Sequence, residues 1–123
     1  MIYFLYALQI IAGLGILNVW FLRFHQSTAY RGGSASNMKE EFAHYGLPGW
    51  SVSVVGALKV ISALGLLVGL FLPVLVVPSA ILLALLMIGA ILMHIKVGDA
   101  PKKSLPGVTL LIVCLAIIGL AYS

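Results

Sequence analysis

The feature that most constrains the fold is a long apolar run in the middle of the chain. Between Ser51 and Ile95 the only ionisable residues are Lys59 and His94. A helix rises about 1.5 Å per residue and needs about 20 apolar residues to cross a bilayer, so this run is roughly twice as long as one crossing requires. We therefore predict two spans with a tight turn between them at residues 74–77, bracketed by Pro73 and Pro78.

The composition indicates that the rest of the chain is also in the membrane. Of its 123 residues, 63% are hydrophobic and 8% are charged, and a soluble protein of this size cannot cover so much apolar surface. The predicted fold is all-α, an up-and-down four-helix integral membrane bundle forming a single transmembrane domain. The expected spans are residues 2–22, 49–72, 78–95 and 106–122. The first is expected to be retained, because no basic residue precedes its apolar stretch and no small-residue cleavage site follows it.

The basic residues predict the orientation of the bundle. They fall in the first and third connections: Arg23, Arg31 and Lys39 in one, and Lys96, Lys102 and Lys103 in the other. By the positive-inside rule, connections 23–48 and 96–105 are expected in the cytoplasm and both termini outside. This distribution also explains the net charge of +4, and the lack of a dense basic stripe argues against a nucleic-acid partner.

The polar segment 23–48 contains the signals of a short interfacial helix. Asn37 is placed to cap its start and Glu40, three residues later, to complete a capping box. Gly46 is expected to end the helix in a left-handed conformation, followed by Pro48.

The two glutamates of this short helix are not equivalent. A projection at about 100° per residue places Met38, Phe42 and Tyr45 on one face, with Glu41 beside that face and Glu40 nearly opposite. Two interpretations follow: both carboxylates are solvated at the membrane surface, or Glu41 dips toward Lys59.

Lys59 lies well inside the second predicted span. Insertion scales put the penalty for such a lysine at about 2.5 to 3.5 kcal/mol, so it normally faces the bundle interior and finds a partner. Gly56, Ser62 and Ala63 fall on the same side of the helix, which suits close helix packing. Three interpretations of Lys59 remain open: an ion pair with Glu41, contact with a ligand or lipid headgroup, or snorkelling to the interface.

His94, near the cytoplasmic end of the third span, is expected to share a cavity with Lys59. Arg23 and His25 would lie at the rim, and Glu41 and Asp99 are the anionic groups best placed to join them. His94 is either a hydrogen-bonded interfacial residue or a ligand and proton carrier. The sequence contains no metal-binding or cofactor motif, and its single cysteine, Cys114, is interpreted as a small apolar residue.

Other residues are interpreted as packing elements. Gln9 and Asn18 lie on opposite sides of the first span, and interhelical hydrogen bonding is expected for each. Gly65 and Gly69 form a small-xxx-small pair, which marks close packing and would permit a dimer.

The order of the polar motifs resembles the DoxX-like family of small bacterial membrane proteins. The matching stretches are Arg23 to Ala35, Asn37-Met38, Glu41-Phe42, Tyr45 to Pro48, Gly56 to Lys59, Ala63 to Leu67, His94 to Asp99 and Lys102 to Pro106. The resemblance implies a four-helix bacterial inner-membrane protein. Its relatives are associated with membrane redox systems, including a thiosulfate:quinone oxidoreductase, and a distant eukaryotic branch resembles assembly chaperones for membrane receptors. The motif positions, taken as candidates for one ligand site, are Arg23, His25, Gln26, Arg31, Glu41, Lys59, His94, Lys96, Asp99 and Lys102.

Two functions follow as expectations. The first is an accessory or ligand-binding subunit of a quinone-linked redox system, with a quinone or lipid in a cytoplasmic-side cavity around Lys59 and His94. The second is a structural or chaperone-like protein that acts by helix-helix interaction with membrane partners or a second copy, its polar residues serving packing alone. Catalysis by the chain itself stays undecided, with no catalytic residue indicated, and transport is disfavoured because four short spans lack internal repeats.

Overall fold

The computed structural model describes residues 2–22, 24 and 35–122. In this part of the chain, four helices are long and apolar enough to cross a membrane, and no strand is present. These segments are Ile2–Leu22, Trp50–Val68, Pro73–Lys96 and Pro101–Ala121. The predicted all-α four-helix class is confirmed.

The described residues form five α-helices, four of them within the long segments. They are α1 (Ile2–Leu17), α2 (Met38–His44), α3 (Trp50–Val68), α4 (Val76–Lys96) and α5 (Leu105–Ala121). A π-helical turn, Asn18–Leu22, extends α1, and 3₁₀ turns precede α4 at Pro73–Leu75 and α5 at Pro101–Ser104.

The four long helices form a closed ring. α1 packs against α3 and α5, and α4 packs against the same two helices on the opposite side. The fully buried side chains at the centre come from all four: Ala12, Ala63, Leu66, Ala80, Leu83, Cys114 and Ile117. Most other large apolar side chains point outward, as in a bundle whose surroundings are lipid.

The break between α3 and α4 lies earlier than the sequence predicted. α3 ends at Val68, the chain turns at residues 69–72, and α4 begins at Val76, so the predicted turn at 74–77 and the third-span start at Pro78 are wrong. The first four N–H groups of a helix have no intrahelical partner, so Pro78 fits the first turn of α4 without losing a hydrogen bond. Pro73, which likewise lacks a donor, opens the 3₁₀ turn instead.

The Gly65 and Gly69 pair is used inside the bundle. A β-carbon on Gly65 would lie 2.0 Å from Ser79 Oγ, and one on Gly69 would lie 2.7 Å from a Val76 methyl group. The pair therefore lets α3 approach α4 closely, as the packing interpretation predicted. Because α4 covers this face, a dimer formed through it is not compatible with the structure.

Gln9 confirms the hydrogen bond expected of it. Its Nε2 donates to the Leu66 carbonyl oxygen at 2.9 Å, joining α1 to α3 in the buried core.

The capping signals of α2 are also present. Asn37 Oδ1 accepts from the Glu40 N–H at 2.9 Å, and Gly46 has a φ of 78° at the predicted helix end. The Glu40 carboxylate reaches one residue further back than in a capping box, accepting from the Ser36 N–H at 2.7 Å and from the Ser36 hydroxyl. These two bonds lower the pKa of Glu40 below its ordinary value.

Candidate functional site

Helix α2 carries one glutamate into the protein and leaves the other outside. Met38, Glu41, Phe42 and Tyr45 are buried, whereas Glu40 is exposed. This is the face predicted from the helical projection, with Glu41 included in it. The interpretation in which both carboxylates are solvated is therefore wrong, and Glu41 is available to the bundle interior.

Three side-chain hydrogen bonds link Glu41, through Tyr45 and through His94 at the end of α4, to Asp99. Tyr45 Oη donates to Glu41 Oε2 at 2.9 Å and lies 3.3 Å from His94 Nε2. His94 Nδ1 lies 2.8 Å from Asp99 Oδ2, and the Asp99 N–H donates to the His94 carbonyl oxygen at 3.0 Å. We call these four residues, Glu41, Tyr45, His94 and Asp99, the polar chain.

Counting protons limits the states of the polar chain. The single Tyr45 hydroxyl proton goes to Glu41, so the contact between Tyr45 and His94 requires a proton on His94 Nε2. If Asp99 is ionised, its bond to His94 requires a second proton, on Nδ1. With both carboxylates ionised, all three hydrogen bonds therefore form only when His94 is an imidazolium. A neutral His94 has one N–H and can make only two of the three bonds.

Lys59 lies over an aromatic ring. Its Nζ is 5.5 Å from the centre of the Trp20 ring, a cation–π geometry. Among the described residues no hydrogen bond or ion pair to Nζ is formed, so the expected close pair with Glu41 is not present, although the Glu41 charge acts on Lys59 through space. Of the three interpretations, the direct ion pair is the one that the structure does not show.

Trp20 is held in place by a glycine. It lies on the π-helical turn that ends the first span and is buried. A β-carbon on Gly56 would be 2.7 Å from Trp20 Cζ3, so only glycine admits the ring against α3 at this point. π-helical turns are rare and are frequent at functional sites. The π-helical turn after α1 and the lack of a side chain at Gly56 together place the Trp20 ring next to Lys59.

Lys59 and most of the polar chain face a common space. A cavity of about 680 Å³, the central cavity, is lined by Glu41, Tyr45, Lys59, His94 and Lys103 among its polar residues. The other lining residues are almost all apolar and come from all four long helices and α2, including Ile16, Val55, Met87, Met93 and Leu110. Its size and its mostly apolar wall with a few polar groups are typical of small-molecule sites.

The structure brings together four of the ten residues predicted for the site. Glu41, Lys59 and His94 line the central cavity, and Asp99 joins through His94. Lys96 binds elsewhere, donating from Nζ to the Tyr45 carbonyl oxygen at 3.0 Å.

The remaining predicted residues are not placed in the cavity. Lys102 is exposed on the 3₁₀ turn before α5 and does not line it, whereas its neighbour Lys103 does. Four predicted residues lie outside the described part of the chain: Arg23, His25, Gln26 and Arg31.

Three site residues were missed in the sequence: Tyr45, Lys103 and Trp20. Tyr45 had a usable signal, since it lies four residues after Glu41 on a predicted helix, the spacing at which side chains meet. Trp20 lies on a π-helical turn and Lys103 on the 3₁₀ turn before α5, and no local sequence signal directs either side chain to the cavity.

The donor set suits an organic ligand better than a metal ion. In the described part of the chain, no three His, Cys, Asp or Glu side chains are arranged to hold a metal. The polar groups that line the cavity are the ammonium groups of Lys59 and Lys103, a phenol, an imidazole and the Glu41 carboxylate, set among apolar walls. An ammonium group in such a cavity can donate to an oxygen acceptor on a largely apolar molecule.

One comparison with known proteins finds a match. A family model, described as the DoxX-like family, matches residues 16–117. This range contains α2, α3 and α4 entire, and with them Lys59 and the polar chain. The curated proteins and the solved structures give no match.

Proposed function

We propose, since this chain belongs to the DoxX-like family of membrane proteins, that its central cavity binds an amphipathic molecule with an oxygen-bearing headgroup. A quinone is the ligand we favour and a lipid the other candidate. In this role the protein serves as an accessory or ligand-binding subunit of a quinone-linked redox system in the inner membrane.

The observation that carries the proposal is the position of Lys59. Its ammonium group faces the mostly apolar central cavity. Among the described residues it contacts the Trp20 ring and forms no hydrogen bond. A charge in such surroundings is expensive unless it is paired or hydrogen-bonded, and a cation–π contact replaces only part of the lost hydration. A ligand oxygen in the cavity would supply the acceptor.

The polar chain supports a ligand that gains or loses protons. A quinone takes up two protons when it accepts two electrons. Tyr45 and His94 line the cavity, and His94 is bonded on its other nitrogen to Asp99 in the following connection. Because His94 bonds through both ring nitrogens, it can hold a proton at Nε2 while exchanging one at Nδ1.

The arrangement of the connections supports an orientation. Lys96 and His94 at the end of α4 contact Tyr45 at the end of α2, so the two basic connections meet at one end of the bundle. We place this end in the cytoplasm by the positive-inside rule, with both termini outside. Arg23, His25, Gln26 and Arg31, which lie outside the described residues, would then join the site from this cytoplasmic end.

A structural or chaperone-like role is the second candidate. The observation in its favour is that the members of the polar chain bond to one another and tie α2 to α4. In that case these residues fix helix packing, and the outer apolar faces meet partner helices.

Native mass spectrometry distinguishes the two functions. The wild type is compared with Lys59→Met and with the matched control Lys102→Met, whose lysine is exposed and does not line the cavity. We expect a small molecule to accompany the wild type and Lys102→Met and to be lost from a folded Lys59→Met. A ligand retained equally by all three proteins, or a wild type that carries none, would reject the ligand-binding role.

A further inference from the structure

A second cavity lies on the other side of Trp20. It has a volume of about 920 Å³, and we call it the lateral groove. Its wall is formed by aromatic and aliphatic side chains from the end of the first span, from α2 and from the first half of α3. Its lining residues include Trp20, Phe21, Lys39, Gly49, Ala57 and Val60.

The lateral groove opens on the outer surface of the bundle. Phe21 is 67% exposed, and Ala57 is exposed on the neighbouring helix. Both residues belong to segments long and apolar enough to span the membrane. The part of the groove that these two segments form therefore faces the hydrocarbon of a bilayer, which favours an apolar occupant.

The length of the groove matches one leaflet of a bilayer. Its wall on α3 extends from Gly49 to Val60, which at 1.5 Å per residue is about 16 Å. The hydrocarbon core of a bilayer is about 30 Å thick, so one leaflet contributes about 15 Å. A hydrocarbon chain of that leaflet fits along the groove from one end to the other.

A cation marks the end at which a headgroup would lie. Lys39 lines the groove from α2 and is exposed. The N–H of its neighbour Met38 donates to the carbonyl oxygen of Phe24, just after the first span, which places Lys39 at the interfacial end of the groove. An extended lysine side chain there reaches the headgroup level while its methylene groups stay on apolar surface. Among the described lining residues, the groove thus combines a mostly apolar wall with one positive charge, that of Lys39, at its interfacial end.

We propose that the lateral groove is a binding site for one phospholipid with an anionic headgroup, whose acyl chain lies against Trp20 and whose phosphate binds Lys39. This site goes beyond the proposed function. The groove and the central cavity are two spaces with mostly different lining residues, and the side chains of Trp20, Phe42 and Leu47 line both.

The test uses Trp20 as a reporter. The chain has two tryptophans, so Trp50→Phe leaves Trp20 alone, and all further variants carry that change. The protein is placed in phosphatidylcholine vesicles, and phosphatidylglycerol or phosphatidylcholine with brominated acyl chains is added in increasing fractions. Trp20 lines the groove and is only 8% exposed, so a brominated chain lying in the groove quenches it.

We expect brominated phosphatidylglycerol to reach half-quenching at about one fifth of the fraction needed for brominated phosphatidylcholine, which corresponds to about 1 kcal/mol for one basic residue near an anionic lipid. Lys39→Gln should bring this ratio to about one, and Lys102→Gln should leave it unchanged. Ala57→Leu, which fills the groove, should reduce quenching by both lipids, whereas Ala7→Leu, at an exposed site on α1 outside the groove, should not.

Equal quenching by the two lipids in the parent protein, or a preference that survives Lys39→Gln, would overturn the proposal. Because Lys39 is exposed, we expect Lys39→Gln to fold normally. That variant therefore tests the proposal even if Ala57→Leu disturbs folding. Gly89→Leu, which adds a side chain to the central cavity at a position with no neighbour within 4 Å of a β-carbon, should leave the quenching unchanged. Loss of quenching in that variant would show that the groove is part of the central site and not a second one.

Discussion

Tyr45 Oη and His94 Nε2 are 49 positions apart in the sequence and 3.3 Å apart in the structure. Their rings also meet edge to face, with centroids 5.6 Å apart and an interplanar angle of 82°. Through this contact the short helix α2 is joined to the end of α4, and the buried Glu41 is joined to a histidine that itself binds Asp99. The contact is the centre of the polar chain.

Replacing Tyr45 with phenylalanine should destabilise the protein by about 1 to 3 kcal/mol. The buried ring keeps its packing, but Glu41 and His94 lose the hydroxyl group between them, and a buried polar atom that loses a partner pays its desolvation penalty. Unfolding in detergent followed by circular dichroism measures the change. Tyr122→Phe, at a side chain that is 77% exposed, is the matched control and should change little. Equal stability of the two variants would show that the polar chain contributes nothing to folding.

Replacing Lys96 with methionine should loosen α2. Its ammonium group donates to the Tyr45 carbonyl oxygen just after the last residue of that helix, where carbonyl groups have no intrahelical partner. A charge-assisted bond of this kind contributes about 1.5 to 3 kcal/mol, and exposure of Lys96 to solvent places the expected effect at or below the lower end. We expect the amides of α2 to exchange with deuterium several-fold faster in Lys96→Met and at the wild-type rate in Lys102→Met. Identical exchange in the two variants would contradict the role of Lys96.

Two glycines of α1 should respond to alanine in opposite directions. A β-carbon on Gly13 would lie 2.7 Å from Leu67 Cγ and 3.2 Å from the Ala63 carbonyl oxygen, whereas one on Gly15 would have no neighbour within 4 Å. Gly13→Ala should therefore cost about 1 to 3 kcal/mol through overpacking. Gly15→Ala should be neutral or stabilising by up to about 1 kcal/mol through helix propensity. Comparing their unfolding in the same detergent checks both, and a Gly13→Ala protein as stable as Gly15→Ala would show that α1 and α3 are not so closely packed.

Acid should weaken the start of α2 through Glu40. Its hydrogen bonds to Ser36 lower the pKa below the ordinary value of 4.5, so the protein is stabilised while the carboxylate is ionised. This contribution is fully present above pH 4.5 and is lost as the pH falls through the lower value of the folded state. Amide exchange of α2, measured against pH, should show a loss of protection in acid that is smaller in Glu40→Gln. An identical acid profile in that variant would assign the effect to other groups.

Local signals in the sequence were sufficient for much of the architecture. The apolar runs predicted four membrane-spanning helices, and Asn37 and Gly46 predicted the two ends of α2. The period of the helix alone separated buried Glu41 from exposed Glu40. These features depend on hydrophobicity and on hydrogen bonds between residues close in the chain, so neighbouring residues carry the information.

Proline was a less exact signal. Pro73 and Pro78 indicated that the apolar run breaks, yet the break falls before Pro73, and Pro78 lies within the first turn of α4. A proline removes one N–H donor, and the first turn of a helix does not use that donor. The same residue is therefore compatible with a turn and with a helix start.

The sequence by itself determined that this chain is a four-helix membrane protein with a buried face on α2 and charged or titratable residues on its apolar spans. Only the tertiary structure decided which of those residues meet. Lys59 lies over Trp20 and not against Glu41, and Tyr45 bonds His94 across two elements. Helix rotation and crossing set these distances, and both depend on packing contacts such as Gly56 against Trp20, made by residues far apart in the chain.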